Sequence, residues 1–146
     1  MATTYTQLAS TFSYTDFCFK NYGLTDLAQD LVVTVDTTNY VADASTSIDS
    51  IGVAYPTLGG TVQPVIGVTL ETIPAGGTGR VRCFGPIVRG TCHGAVTVGT
   101  YVEATVTAGK SGMIRTHTGL TSCGLALTTG ADGDVIVYML GVSPNA

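Results

Sequence analysis

An internal echo constrains this chain more than any other feature. The stretch "IGVTLETIPAGGTGRVRCFG" (residues 66–85) is similar to "CGLALTTGADGDVIVYMLG" (residues 123–141). Both run through a small-Gly-apolar-x-Leu step, a glycine-rich turn, an alternating strand and a closing glycine. Upstream, "DLVVTVD" stands before the first copy as "GTYVEAT" stands before the second. Two diverged β units side by side close into a compact barrel or a sandwich.

Composition points the same way. The 146 residues include 25 Thr and 17 Val, against two Lys, two Glu and three Gln. β-branched side chains crowd the turns of a helix and sit well on a pleated sheet. The 19 Gly and 5 Pro provide turns. The expected fold is therefore all-β. One passable helical turn, "LTDLAQDL" (residues 24–31), has Thr25 as its N-cap.

Alternation assigns faces. In "RVRCFG", Val81 and Cys83 share one face, with Arg80, Arg82 and Phe84 on the other. In "YVEATVT", Val102, Ala104 and Val106 are expected to face in, and Tyr101, Glu103, Thr105 and Thr107 to face out. Residues 43–60 read as a turn-rich excursion.

Residues 1–22 stand apart from the single β domain expected over residues 23–146. Six of the eleven aromatics lie there, among them Phe12, Tyr14, Phe17 and Phe19. Disordered tails are poor in aromatics, so the segment is expected to be ordered. Two readings stand: an ordinary first strand, or an extended arm that anchors a neighbour through its aromatics. Only 11% of residues are charged, and the net charge of -4 is uneven. Residues 1–60 carry six Asp and one basic residue, Lys20. Residues 61–146 carry four acids and five bases: Arg80, Arg82, Arg89, Lys110 and Arg115. Head-to-tail pairing between subunits is one use of that split, and ordinary solvation is another. With Phe12, Tyr14, Phe17 and Phe19, the stretch holding Arg80, Arg82 and Arg89 completes the candidate partner-binding set. The basic charge is too sparse to hold nucleic acid by its phosphates. No apolar run approaches the roughly 20 residues of a membrane span, and the start "MATTYTQLAS" does not read as a secretory signal. Synthesis in the cytoplasm with reduced cysteines follows as the expectation, with Cys83 and Cys123 as small core residues.

The chemical motifs dissolve on inspection. "AGKSG" (residues 108–112) resembles a phosphate-gripping loop, but the position five before Gly109 is Ala104, and the residues that follow are β-like. It reads as a hairpin turn with Lys110 at its tip. Cys92 and His93 are adjacent and point to opposite faces of a strand, and there is no C-x-x-C pair to announce zinc. A nucleophile pair built from Cys92 or Cys123 with His117 lacks any local signature. Asp132 and Asp134 fit a turn better than an acid/base pair. No cofactor, metal or catalytic residue is expected.

With these strands and turns in place, the chain resembles the small capsid decoration (cement) proteins of tailed bacteriophages. The likeness rests on Ile66-Gly67-Val68, Ala75-Gly76-Gly77, Val81, Gly85, Gly99, Tyr101-Val102, Ala108-Gly109-Lys110, Gly124 to Leu127 and Val135 to Leu140, and covers residues 30–142. It implies a β-barrel or β-tulip module, commonly trimeric. Such a module sits outside an icosahedral head, binds the major capsid protein and stabilises capsomer contacts. Two other classes stand beside it: a virion-borne receptor- or carbohydrate-binding β-module, and a small β-barrel enzyme.

Overall fold

The computed structural model describes residues 15–38, 51–57, 65–84, 87–119 and 122–142. They form ten strands: β1 (Thr15–Lys20), β2 (Val32–Val35), β3 (Val53–Ala54), β4 (Val65–Thr69), β5 (Thr78–Phe84), β6 (Ile87–Thr91), β7 (Tyr101–Ala104), β8 (Ile114–Thr116), β9 (Ser122–Ala126) and β10 (Val135–Leu140). The fold is all-β, in two five-stranded antiparallel sheets ordered β1-β5-β4-β2-β3 and β6-β10-β9-β7-β8. Adding five to each strand number of the first sheet gives the second, so the sequence echo is one topology used twice.

Each sheet rolls toward a barrel. An isolated parallel bridge between Lys20 and Gly52 joins the outer strands of the first sheet, and one between Cys92 and Ile114 does so in the second. The correspondence extends to single residues. The pairing of β2 with β4 shifts between Val33 and Thr34, with Ile66 as the extra residue in β4, and that of β7 with β9 shifts between Val102 and Glu103, with Cys123 as the extra residue in β9. Leu27 bridges Ile73 in the first half as Val96 bridges Gly130 in the second. Asp30 takes a left-handed φ of 61° where the second half has Gly99 at 82°, and both donate to the last residue of the following inner strand, Thr69 or Ala126. Asp tolerates that conformation better than most side chains do.

The first barrel encloses Phe19, Leu27, Val33, Val53, Ile73 and Val81. The second core holds Val88, Val96, Val102, Ile114, Ile136 and Tyr138, and extends to Val32 and Val68 of the first half. Those two valines therefore weld the halves together. Backbone bonds reinforce the seam: Val32 N–H donates to the Gly112 carbonyl at 2.8 Å, and Thr91 N–H to the Asp30 carbonyl at 3.1 Å.

Three local expectations are corrected. Residues 24–31 form bends, a bridge at Leu27 and a turn at Gln29 and Asp30 rather than a helical turn, because Leu27 pairs with Ile73 through backbone bonds in both directions. Glu103 and Thr105, expected to face out, are both fully buried. The alternation of β7 holds, with Val102 and Ala104 in the core, but its other face is covered. Arg115 of β8 and the turn at Thr118 and Gly119 close over Glu103, and Thr105 hydrogen-bonds with His93 and Thr107. Phe19, placed among the partner-facing aromatics, is 6% exposed and packs in the core of its own chain, since its strand is fully paired with β5.

Candidate functional site

The residues singled out from the sequence fall into three groups. Phe12 and Tyr14 lie outside the described residues. Phe17 and Phe19 share the inner face of β1, their rings edge to face at 6.3 Å. Phe19 fills the barrel, while Phe17 stands at its rim, 37% exposed. Residues 15–20 of the expected N-terminal arm are thus the first strand of the first sheet.

Each of the three arginines is bound within the chain. Arg82 grips Asp16 with two bonds, Nε to Oδ1 at 2.8 Å and Nη2 to Oδ2 at 3.0 Å. That hydrogen bonding holds the Asp16 carboxyl below its ordinary 3.8. Arg89 reaches Asp30 at 3.6 Å and Arg80 reaches Glu71 at 3.4 Å. Two of these pairs join an acid of residues 1–60 to a base of residues 61–146. The uneven charge read from the sequence is therefore used, at least in part, inside one molecule. Arg80 and Arg89 remain well exposed, and such pairs are weak.

Glu103 is the polar residue whose burial the sequence reading missed. Its Oε1 accepts from Arg115 Nε at 2.9 Å and Thr118 Oγ1 at 2.8 Å. Its Oε2 accepts from the backbone N–H groups of Thr118 at 3.0 Å and Gly119 at 3.2 Å. Nδ1 of His117 lies 3.0 Å from Oε2 but is not aligned for a hydrogen bond. A buried charge is tolerable only when so surrounded. The donors come from β8 and the turn after it, so this carboxylate fastens that turn over the barrel. The one available signal was its rarity, since Glu103 is one of two glutamates in the chain.

A groove of about 270 Å³ lies between the halves, lined by Val65, Ile66, Cys83, Ser122, Cys123 and Leu140, with Gly67 and Gly141. Val65, Ile66 and Cys83 are the counterparts of Ser122, Cys123 and Leu140, so both halves contribute the same positions. Ser122 Oγ lies within hydrogen-bond reach of the Val102 and Val142 carbonyls. Burial pushes the Cys83 thiol up to about 11 and the Cys123 thiol up to about 12, so both stay protonated and unreactive at neutral pH. The groove can accept an apolar group. Among the described residues no cluster of His, Cys, Asp and Glu could hold a metal ion, and no helix is long and apolar enough to cross a membrane. "AGKSG" is the β7–β8 turn, with Lys110 N–H donating to the Thr107 carbonyl and Gly112 N–H to the Thr105 carbonyl.

No protein-family profile matches this chain, and no curated protein matches it. Among solved structures, the fold is shared with a phage head protein. That structure is the N base of the head fiber gp8.5 of bacteriophage phi29, similar with a TM-score of 0.59 over 88% of this chain and 95% of that chain. At 13% identity the likeness is one of fold.

Proposed function

We propose that this chain is a structural protein of a bacteriophage virion, attached to the outside of the head. There it binds the major capsid protein as a decoration or cement protein and stabilises capsomer contacts, commonly as a trimer. It engages neither nucleic acid nor membrane and carries out no catalysis. The observation that carries the reading is the fold shared with the head fiber base over nearly the whole of both chains. The residues support it: the most elaborate polar constellation, around Glu103, fastens a turn, and the groove between the halves is apolar with protonated thiols. The neighbour's description as a fiber base favours a second form of the same role, a mount for a longer projection.

Purified heads lacking the protein, mixed with it and viewed by electron cryomicroscopy, test the proposal. Saturable density at fixed symmetry-related positions outside the shell is expected. Heads left bare at saturating protein would refute it. A cement protein raises the temperature at which the heads break, whereas a fiber mount leaves that temperature unchanged.

A further inference from the structure

The outer face of the second sheet carries an apolar row across four neighbouring strands. Ile87 is opposite Met139, Met139 opposite Leu125, and Leu125 opposite Tyr101. Directly opposed residues place their side chains on one face. Ile87 is 39% exposed, and the other three are partly exposed. None of the four belongs to the core clusters.

The first half shows what covers such a row. Its equivalent positions, in the same register, are Asp16, Arg82, Val68 and Val32. Val32 and Val68 are buried in the core they share with the second half. At the other end the row is capped by the Asp16–Arg82 pair. The face is thus the one by which a unit of this fold receives the next unit. In the second half it is more apolar, with Ile87 and Met139 where the first half has Asp16 and Arg82, and no third unit follows among the described residues.

We propose that the Ile87–Met139–Leu125–Tyr101 face docks the first half of a second copy of this chain. The contact repeats between molecules the arrangement that already joins the two halves within one. It is head-to-tail, so it generates a closed ring when the rotation permits. The inference is independent of attachment to a phage head, because it concerns the free protein.

Sedimentation velocity over a wide concentration range, on full-length protein, is the test. The wild-type chain is expected to self-associate. The pair Ile87→Glu and Met139→Glu should weaken that association by about thirtyfold or more, as loss of one central hot spot would. The far-UV circular dichroism should not change. Ile87→Lys alone, at the most exposed member of the row, supplies a variant that folds even if the pair does not, and should also shift the equilibrium. Thr78→Glu, on an exposed position of β5, should leave it unchanged. A wild-type chain that stays monomeric at every concentration overturns the proposal. So does a wild-type oligomer that survives Ile87→Lys and the folded pair intact. A monomeric wild type whose capsid binding is lost with Ile87→Lys would assign the face to a shell protein instead.

Discussion

The Cβ that Gly79 lacks would stand 2.6 Å from Cγ1 of Ile73. In the second half the same two positions are Gly130 and Ile136, and there a Cβ on Gly130 would stand 2.4 Å from Cγ2 of Ile136. The isoleucine has moved from one side of the contact to the other. A second exchange accompanies it. Phe19 and Val81 of the first core become Gly90 and Tyr138, and a Cβ on Gly90 would meet Tyr138 at 2.7 Å. A third involves charge: Asp26 accepts from Ala75 N–H, while in the other half Asp132, at the position of Ala75, accepts from Gly94 N–H on the opposite segment. Each half keeps the contact and reverses who makes it.

The Ile73–Gly79 contact predicts a double-mutant cycle. Ile73→Gly should cost about 2–5 kcal/mol through the cavity it leaves. Gly79→Ile should cost about 1–3 kcal/mol through overpacking. Together they recreate the arrangement of the second half, and the combined loss should fall short of the sum by about 1 kcal/mol or more. Urea unfolding midpoints measure all three. Strict additivity would show that the two positions do not share one space.

The β7–β8 turn predicts a contrast between neighbours. Lys110→Ala should change stability by no more than about 0.5 kcal/mol, and calorimetric titration with ATP or GTP should show no binding. Gly112→Ala should be costly. Gly112 has φ 83°, and an added Cβ would come 2.8 Å from the Val32 carbonyl oxygen and 2.9 Å from Tyr55 Cδ1. A loss of about 2 kcal/mol or more is expected, since the backbone is strained and the seam is forced open. A tolerant Gly112 would mean that the halves are less tightly joined than described.

Asp16 sets an acid limb. Its folded value lies below 3.8 because Arg82 hydrogen-bonds the charged form. The stabilisation is therefore fully present above 3.8 and is lost as pH falls through the lower folded value. Asp16→Asn should cost about 1 kcal/mol or less at neutral pH. The wild-type advantage should shrink below pH 4, where the two stability curves converge. Curves that stay parallel down to pH 2 would remove the pair from the acid response.

Tyr138 is fully buried, its hydroxyl has no hydrogen-bond partner among the described residues, and burial pushes its ionisation well above the ordinary value. An unsatisfied buried hydroxyl costs about 1–3 kcal/mol. Tyr138→Phe should therefore leave thermal stability unchanged or raise it. A drop of more than about 1 kcal/mol would reveal an acceptor for that hydroxyl.

The duplication was legible because its signals are local. The Gly67 and Gly124 steps, the "PAGGTG" and "GADGD" turns and the alternation of Val81 and Cys83 survive in the chain as spacing. The burial of Glu103 was not legible. Glu103 does lie on the face opposite Val102 and Ala104, but that face is roofed by Arg115, Thr118 and Gly119, and nothing in "YVEATVT" announces a cover supplied by the next strand and its turn. Phe17 and Phe19 looked alike in sequence, but the end of the barrel falls between them, so one is core and the other rim. The arginines looked like a free basic stretch because Asp16 and Asp30 are remote in sequence and adjacent only after folding. The Ile87–Met139–Leu125–Tyr101 row draws one residue from each of four strands, so no window of sequence contains it.

The reversed aromatic has a consequence for how the chain finds its way to the native state. Two halves with one topology invite a strand from one to enter the other, a familiar failure in chains with repeated units. If β1 took the place of β6, Phe19 would arrive where Tyr138 already fills the space opened by Gly90. If β6 took the place of β1, Gly90 would leave Val81 facing a void. Either trade is penalised by volume alone, while the correct pairings are not. Divergence between the halves thus acts as an address that tells each first strand which barrel is its own.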